Sequence, residues 1–124
     1  MRHSVLLVDD NQDVRRALRG MFEASGFVCS EAENGQQALS EAAGLKPDLI
    51  ILDFSMPGMN GLAAAASLKR ILPLTAIIMF TMFASETIAA DARAAGVSAV
   101  FSKDQAARLI PKAESLLMKH KAAI

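Results

Sequence analysis

Val5-Leu6-Leu7-Val8, Leu49-Ile50-Ile51-Leu52 and Ala76-Ile77-Ile78-Met79-Phe80 are short blocks in which every residue is apolar. A strand with one wet face alternates apolar and polar side chains. A block without alternation is a strand covered on both faces, as in a parallel sheet flanked by helices. Two shorter runs, Phe27-Val28-Cys29 and Ala99-Val100-Phe101, read as further strands. Segments with helical spacing separate all five, so the chain reads as β-α repeated five times. That order implies a parallel sheet with right-handed crossovers.

The intervening segments carry helix signals. From Gln12 to Ser25 the spacing of Val14, Ala17, Leu18, Met21 and Phe22 predicts one buried stripe, with Arg15, Arg16, Arg19 and Glu23 mostly outside it. Asp10 or Asn11 is the expected cap, and Gly26 ends the helix. The second helix is expected to start at Asn34 and stop near Gly44. The third follows Asn60-Gly61 and ends before Pro73. The fourth follows Ser85 and ends at Gly96. The fifth follows Asp104, with Ala106, Leu109, Ile110, Ala113 and Leu117 as its core stripe. Pro111 sits awkwardly inside it, because proline lacks an amide and clashes with the preceding turn. That helix is therefore expected to start late or to kink.

Composition narrows the function classes. With 124 residues the chain suits one domain, 1–124, large enough for a core without disulfides. Lys plus Arg equals Asp plus Glu at 13 each, which gives no support to nucleic acid or an anionic membrane as partner. Cys29 is the single cysteine, in agreement with a reducing cytoplasm. No signal peptide is visible, and the stretch from Ile71 to Ala84 is too short and too interrupted to span a bilayer.

The acids carry the chemistry. Asp9 and Asp10 follow the first strand directly, and Asp53 ends the third. In an open α/β sheet, ligands bind beyond the carboxyl ends of strands, where the strand order reverses. For the order 2-1-3-4-5 that crevice lies between strands one and three, so three carboxylates converge on it. Clustered carboxylates need a cation or protons, and hard oxygen ligands suit Mg²⁺, with Mn²⁺ as a substitute. Thr81 and Lys103 end strands four and five, where a hydroxyl and an ammonium could hold phosphoryl oxygens. His3 and His120 lack any partner pattern. Met56, Met59, Met79, Met82 and Phe83 are expected to serve core and loop packing, and Lys119-His120-Lys121 to be a solvated helix end.

In order along the chain stand Val5-Leu-Leu-Val-Asp9-Asp10-Asn, Glu33-Asn-Gly-Gln-Gln-Ala-Leu, Pro47-Asp-Leu-Ile-Ile-Leu-Asp53-Phe-Ser-Met-Pro-Gly-Met-Asn-Gly61, Ile78-Met-Phe-Thr81 and Ala95-Gly-Val-Ser-Ala-Val-Phe-Ser-Lys103. This series resembles the response-regulator receiver domains of two-component signalling, over essentially the whole chain. The resemblance implies a flavodoxin-like doubly wound (βα)₅ sheet. It implies Asp53 as phosphoacceptor, Asp10 as direct Mg²⁺ ligand, Asp9 as ligand through water and the Ser55 carbonyl as a further ligand. It also implies Thr81 as switch hydroxyl, Lys103 as partner first of Asp53 and then of the phosphoryl group, and Pro57, Gly58 and Gly61 as shapers of the adjacent loop.

Three positions depart from the family pattern. Asp104 follows Lys103 where many receivers have a proline in a cis peptide; it resembles the variant attached to DNA-binding output domains. Val100 occupies the aromatic switch position, and Phe101 is expected to face the other way. Met82 follows Thr81 where a small residue is usual, and is expected to narrow access to Asp53.

The resulting expectation is a stand-alone phosphoryl-accepting switch in the cytoplasm, catalysing only its own phosphorylation and dephosphorylation. Its expected partners are a sensor histidine kinase or histidine phosphotransfer protein, and an output partner at the face of helix four, strand five and helix five. A phosphorylation-dependent homodimer fits the same reading. Direct nucleic-acid or membrane binding does not. The alternatives are the N-terminal domain of a longer DNA-binding regulator, or a receiver that binds partners without phosphate. An aspartyl-phosphate phosphatase would carry a second Asp where this chain has Ser55.

Overall fold

A computed structural model describes residues 2–122, with side chains as far as Met118. The elements run β1 (Ser4–Val8), α1 (Gln12–Ala24), β2 (Val28–Ala32), α2 (Gly35–Leu45), β3 (Leu49–Leu52), α3 (Gly61–Ile71), β4 (Ala76–Thr81), α4 (Glu86–Ala94), β5 (Ala99–Ser102), a 3₁₀ segment (Lys103–Arg108) and α5 (Leu109–Ala122). All strand pairings are parallel, in the order β2-β1-β3-β4-β5, which is the predicted architecture.

Strand parity divides the core in two. Leu6, Val8, Ile50, Leu52, Ile77 and Met79 point to the face covered by α2, α3 and α4, where Ala38, Ala42, Ala64, Ala65 and Ala92 let the helices come close. Val5, Leu7, Leu49, Ile51, Ile78, Phe80 and Phe101 point to the other face, under α1 and α5. The uninterrupted apolar blocks are thus buried on both sides, the arrangement they predicted. No helix among the described residues is long and apolar enough to cross a membrane.

The helix starts follow the caps. The side chains of Asn11, Asn34, Asn60 and Ser85 each accept an amide of the first turn that follows. Such a bond satisfies an amide the helix cannot, and its loss costs about 1 kcal/mol. The fifth helix starts late, as Pro111 demanded. The 3₁₀ segment takes up the chain to Arg108, so Pro111 falls in the first turn of α5, where its missing amide costs nothing.

Several boundaries differ from the sequence reading. β2 begins after Phe27 and continues through Ser30, Glu31 and Ala32, paired along its length with β1. Its polar half carries no apolar signal because Glu31 is held by α1 arginines rather than by solvent. Phe27 is buried in the preceding turn, edge-on to Phe22 at 5.0 Å. α2 runs past Gly44, and Lys46 takes the left-handed conformation at its end (φ 48°); Pro47 next to it disfavours a further helical residue. Within α1 only Leu18 and Phe22 are fully buried, and Ala17 is exposed, so the stripe is narrower than its spacing implied. The side chains of Lys119, His120 and Lys121 lie outside the described residues.

Candidate functional site

β1 and β3 are neighbours in the sheet, so the residues that follow them share one crevice. Asp9 leaves β1 with its amide bonded to Ala32 O (3.1 Å), and Asp53 leaves β3 with its amide bonded to Val8 O (3.0 Å). These two bonds extend the ladders by a residue and aim both carboxylates at the same space. Asp9, Asp10 and Asp53 each present a carboxylate oxygen within 4.8 Å of the others. Asp9 and Asp53 are buried and Asp10 is exposed.

The two buried acids are tethered differently. Asp9 Oδ1 accepts the Asn11 amide (2.9 Å), and Oδ2 accepts Lys103 Nζ (2.7 Å). Asp53 Oδ1 receives only a long bond from the Ser55 amide (3.4 Å), while its Oδ2 stands 3.7 Å from Lys103 Nζ. Lys103 therefore spans the pair with its hydrogen bond on Asp9 and only an ion-pair distance to Asp53. Its ammonium also lies 5.4 Å from the centre of the Phe80 ring, which steadies a partly buried cation. Burial pushes the Asp53 carboxyl above its ordinary value, and the Asp9 charge pushes the same way. Lys103, the Thr81 hydroxyl and the Ser55 amide offset this in part.

Thr81 closes the site from β4. It is fully buried, and its hydroxyl accepts the Phe83 amide (3.2 Å), a bond that shapes the loop leaving the strand. β4 and β5 pair Thr81 with Ser102, which sets Lys103 one residue beyond the sheet edge. The Ser55 carbonyl accepts none of the loop's backbone hydrogen bonds. Gly61 explains the loop. A side chain there would place Cβ 2.3 Å from the Asp53 carbonyl oxygen, and the Gly61 amide donates to Phe54 O at 2.7 Å. Gly58 supplies the positive φ (83°) of the turn.

The predicted site residues thus lie around one crevice. Three carboxylates facing a single ammonium repel one another, and the donor atoms are all oxygen. That donor set suits a hard divalent cation such as Mg²⁺ and gives a soft metal no ligand.

One expectation needs correction. Met82 does not pack over the crevice: it is 79% exposed. Of the other residues expected to pack, Met56 and Met79 are buried in the core, Met59 packs partly buried against it, and Phe83, though exposed, lies 6.3 Å from the Phe54 ring in the neighbouring loop. The expectation for β5 stands. Val100 packs with the α2–α4 face, and Phe101 lies on the opposite face under the Arg108 guanidinium, at 4.9 Å.

Sequence reasoning passed over Arg15. Its Nη1 donates to the Asp9 carbonyl (2.7 Å) and its Nε to Glu31 Oε1 (2.9 Å). The available signal was an arginine one helical turn into α1, five residues beyond the acid pair.

A family model described as the response regulator receiver domain matches residues 5–114. The chain is 36% identical over 97 residues to the chemotaxis protein CheY of Bacillus subtilis, covering 77% of this chain and 81% of that protein. It is 31% identical over 118 residues to the DNA-binding transcriptional regulator NtrC of Salmonella typhimurium, covering 92% of this chain and 25% of that one. It spans half or less of the transcriptional regulators it matches. Among solved structures, a two-component response regulator of the LuxR family from Aurantimonas sp. superposes with a TM-score of 0.89 at 28% identity, over 96% of this chain and 87% of that one.

Proposed function

The chain belongs to the response-regulator receiver family of two-component signalling, and from that premise we propose that it is a Mg²⁺-dependent switch phosphorylated on Asp53. The observation that carries this reading is the Asp53 carboxylate, buried between two further acids and an ammonium 3.7 Å away. Asp10 and Asp53, the Ser55 carbonyl and Asp9 through water would hold Mg²⁺. The ion would neutralise charge on the transferring phosphoryl group and on the attacking carboxylate.

The chain's own groups do the rest. An Asp53 carboxylate oxygen forms the bond to phosphorus while the phosphorus–nitrogen bond of the donor histidine breaks, its electron pair remaining on the imidazole. Lys103 turns its ammonium from Asp9 toward a phosphoryl oxygen, and the Thr81 hydroxyl donates to another. Hydrolysis of the acyl phosphate resets the switch, so the only reactions catalysed are the protein's own phosphorylation and dephosphorylation. The donor is a sensor histidine kinase or histidine phosphotransfer protein in the cytoplasm. Output is read from the face of α4, β5 and α5, by a partner or by a second copy of the chain.

The first reading is a receiver that acts alone, and the second is the receiver portion of a longer DNA-binding regulator; the likenesses to CheY and NtrC agree with both.

The test is incubation with acetyl phosphate and Mg²⁺ followed by mass spectrometry. We expect a phosphoryl mass gain that survives acid and is lost in base, and no gain for Asp53→Asn. Equal labelling of that variant overturns the assignment.

A further inference from the structure

We propose that Arg15 is a positioning residue for the metal-binding acids, an inference that rests on the Mg²⁺ reading above. The geometry carries it. β1 ends at Val8, so the Asp9 carbonyl lies beyond the sheet ladder, and α1 makes its first main-chain bond from the Arg15 amide to Asn11 O. No backbone amide among the described residues reaches Asp9 O. The Arg15 guanidinium takes that acceptor at 2.7 Å. A helical side chain leans toward the N-terminus of its own helix, so a residue one turn into α1 is placed to reach back over the β1–α1 loop.

That bond fixes the peptide plane between Asp9 and Asp10. The carbonyl oxygen of the plane belongs to Asp9, and its amide belongs to Asp10, the exposed acid that would ligate the ion. Rotation of this plane would swing the Asp10 side chain relative to Asp53. The guanidinium is itself anchored: Nε donates to Glu31 Oε1 at 2.9 Å, while Glu31 Oε2 accepts Arg19 Nε at 2.7 Å. Only 13% of the Arg15 side chain is exposed. β2 thus serves as a brace, holding through Glu31 and Arg15 the carbonyl of a loop otherwise tied by the Asp9 side chain and the Asn11 cap. The planar fork of arginine makes both bonds at once, which the single ammonium of lysine does not match in geometry.

Arg19 provides the control. It binds the same Glu31 and also Glu23 at 3.2 Å, with none of the Asp9 contact. The experiment is Mn²⁺ titration, read by water-proton relaxation, of the wild type, Arg15→Lys, Arg15→Met and Arg19→Met, with Tm followed in each. Removing a group that orients metal ligands costs about tenfold or more in affinity. We therefore expect both Arg15 variants to bind Mn²⁺ about tenfold more weakly and Arg19→Met to stay within about twofold of wild type, even where their Tm values fall together. Arg15→Lys keeps charge and fold, so its result separates orientation from charge. Wild-type affinity in Arg15→Lys, or equal weakening in the Arg15 and Arg19 variants, overturns the inference while leaving the metal site intact. Failure of the wild type to bind Mn²⁺ overturns the metal reading and this inference with it.

Discussion

Lys103 donates its hydrogen bond to Asp9, at 2.7 Å, and stands 3.7 Å from Asp53. The Asp53 carboxylate is therefore the less committed of the two buried acids. A phosphoryl group that draws on Lys103 must compete with Asp9 for it, whereas a cation must compete with Lys103 for the carboxylates.

Removing this ammonium leaves two buried carboxylates facing each other. Breaking a buried pair by deleting one partner costs on the order of 3 kcal/mol, because the other charge stays buried. Lys103→Met is expected to lower stability by that order in EDTA at neutral pH. It is also expected to gain more from Mg²⁺ than wild type does, since the cation replaces the lost charge. Urea unfolding with and without Mg²⁺ measures both. An equal Mg²⁺ increment in the two proteins would show that Lys103 and the ion do not share a site.

Glu31 links α1 to β2 and gives stability a pH dependence. The Arg19 hydrogen bond is the main force holding its carboxyl below the ordinary value, with Arg15 adding to it. A folded-state pKa below the unfolded one stabilises the protein above the unfolded value, near 4.3 for Glu. That contribution is lost as pH falls through the folded pKa. Glu31→Gln is expected to cost about 1–2 kcal/mol at pH 7, the worth of charged hydrogen bonds near a surface. The wild-type and variant curves should converge as pH drops below the ordinary carboxylate range. Parallel curves down to acid pH would refute the assignment of this charge pair.

Two glycines should respond in opposite directions to alanine. At Gly61 the new Cβ meets the Asp53 carbonyl at 2.3 Å and Phe54 Cα at 2.7 Å, both backbone atoms that cannot yield. Gly61→Ala is expected to cost about 2–4 kcal/mol and to shift the Asp53 amide resonance. At Gly20, inside α1, nothing lies within 4 Å of the added carbon. Gly20→Ala is expected to stabilise by about 0.5–1 kcal/mol, because a helical glycine surrenders more chain entropy than alanine. Thermal unfolding of the two variants decides both.

Signal output should run through Thr81 rather than β5. The Thr81 hydroxyl is tied to the Phe83 amide, so a hydroxyl drawn toward a phosphoryl group releases the loop that carries Met82 and Phe83. Val100 offers no ring to follow it, and Phe101 is buried on the far face. Thr81→Ala is expected to weaken beryllofluoride-dependent association with a partner or a second copy. Val100→Ala should change it by less than about tenfold, roughly 1.4 kcal/mol. A larger loss from Val100→Ala than from Thr81→Ala would place the switch in the fifth strand.

Much of this protein is written locally. The unbroken apolar blocks of β1, β3 and β4 require cover on both faces. Asn11, Asn34, Asn60 and Ser85 each satisfy an amide of the helix they begin. Right-handed crossovers between parallel strands then leave few ways to arrange five β-α units. An acid placed just after a strand therefore goes to the strand's carboxyl edge whatever the packing details, which is why Asp9, Asp10, Asp53, Thr81 and Lys103 were legible as a group. Tertiary packing decided what depends on distances between segments remote in sequence. Glu31 lies inside a strand because α1 arginines neutralise it, so the extent of β2 was invisible to an apolar pattern. Lys103 bonds to Asp9, at 2.7 Å, because the sheet brings together the ends of strands far apart in sequence. Arg15 reads as a solvated helix residue until the Asp9 carbonyl is seen against it. Gly61 reads as turn chemistry, but its cause is the Asp53 backbone passing too close for a side chain. Periodicity records which way a residue faces; it holds no measure of how near the next segment comes.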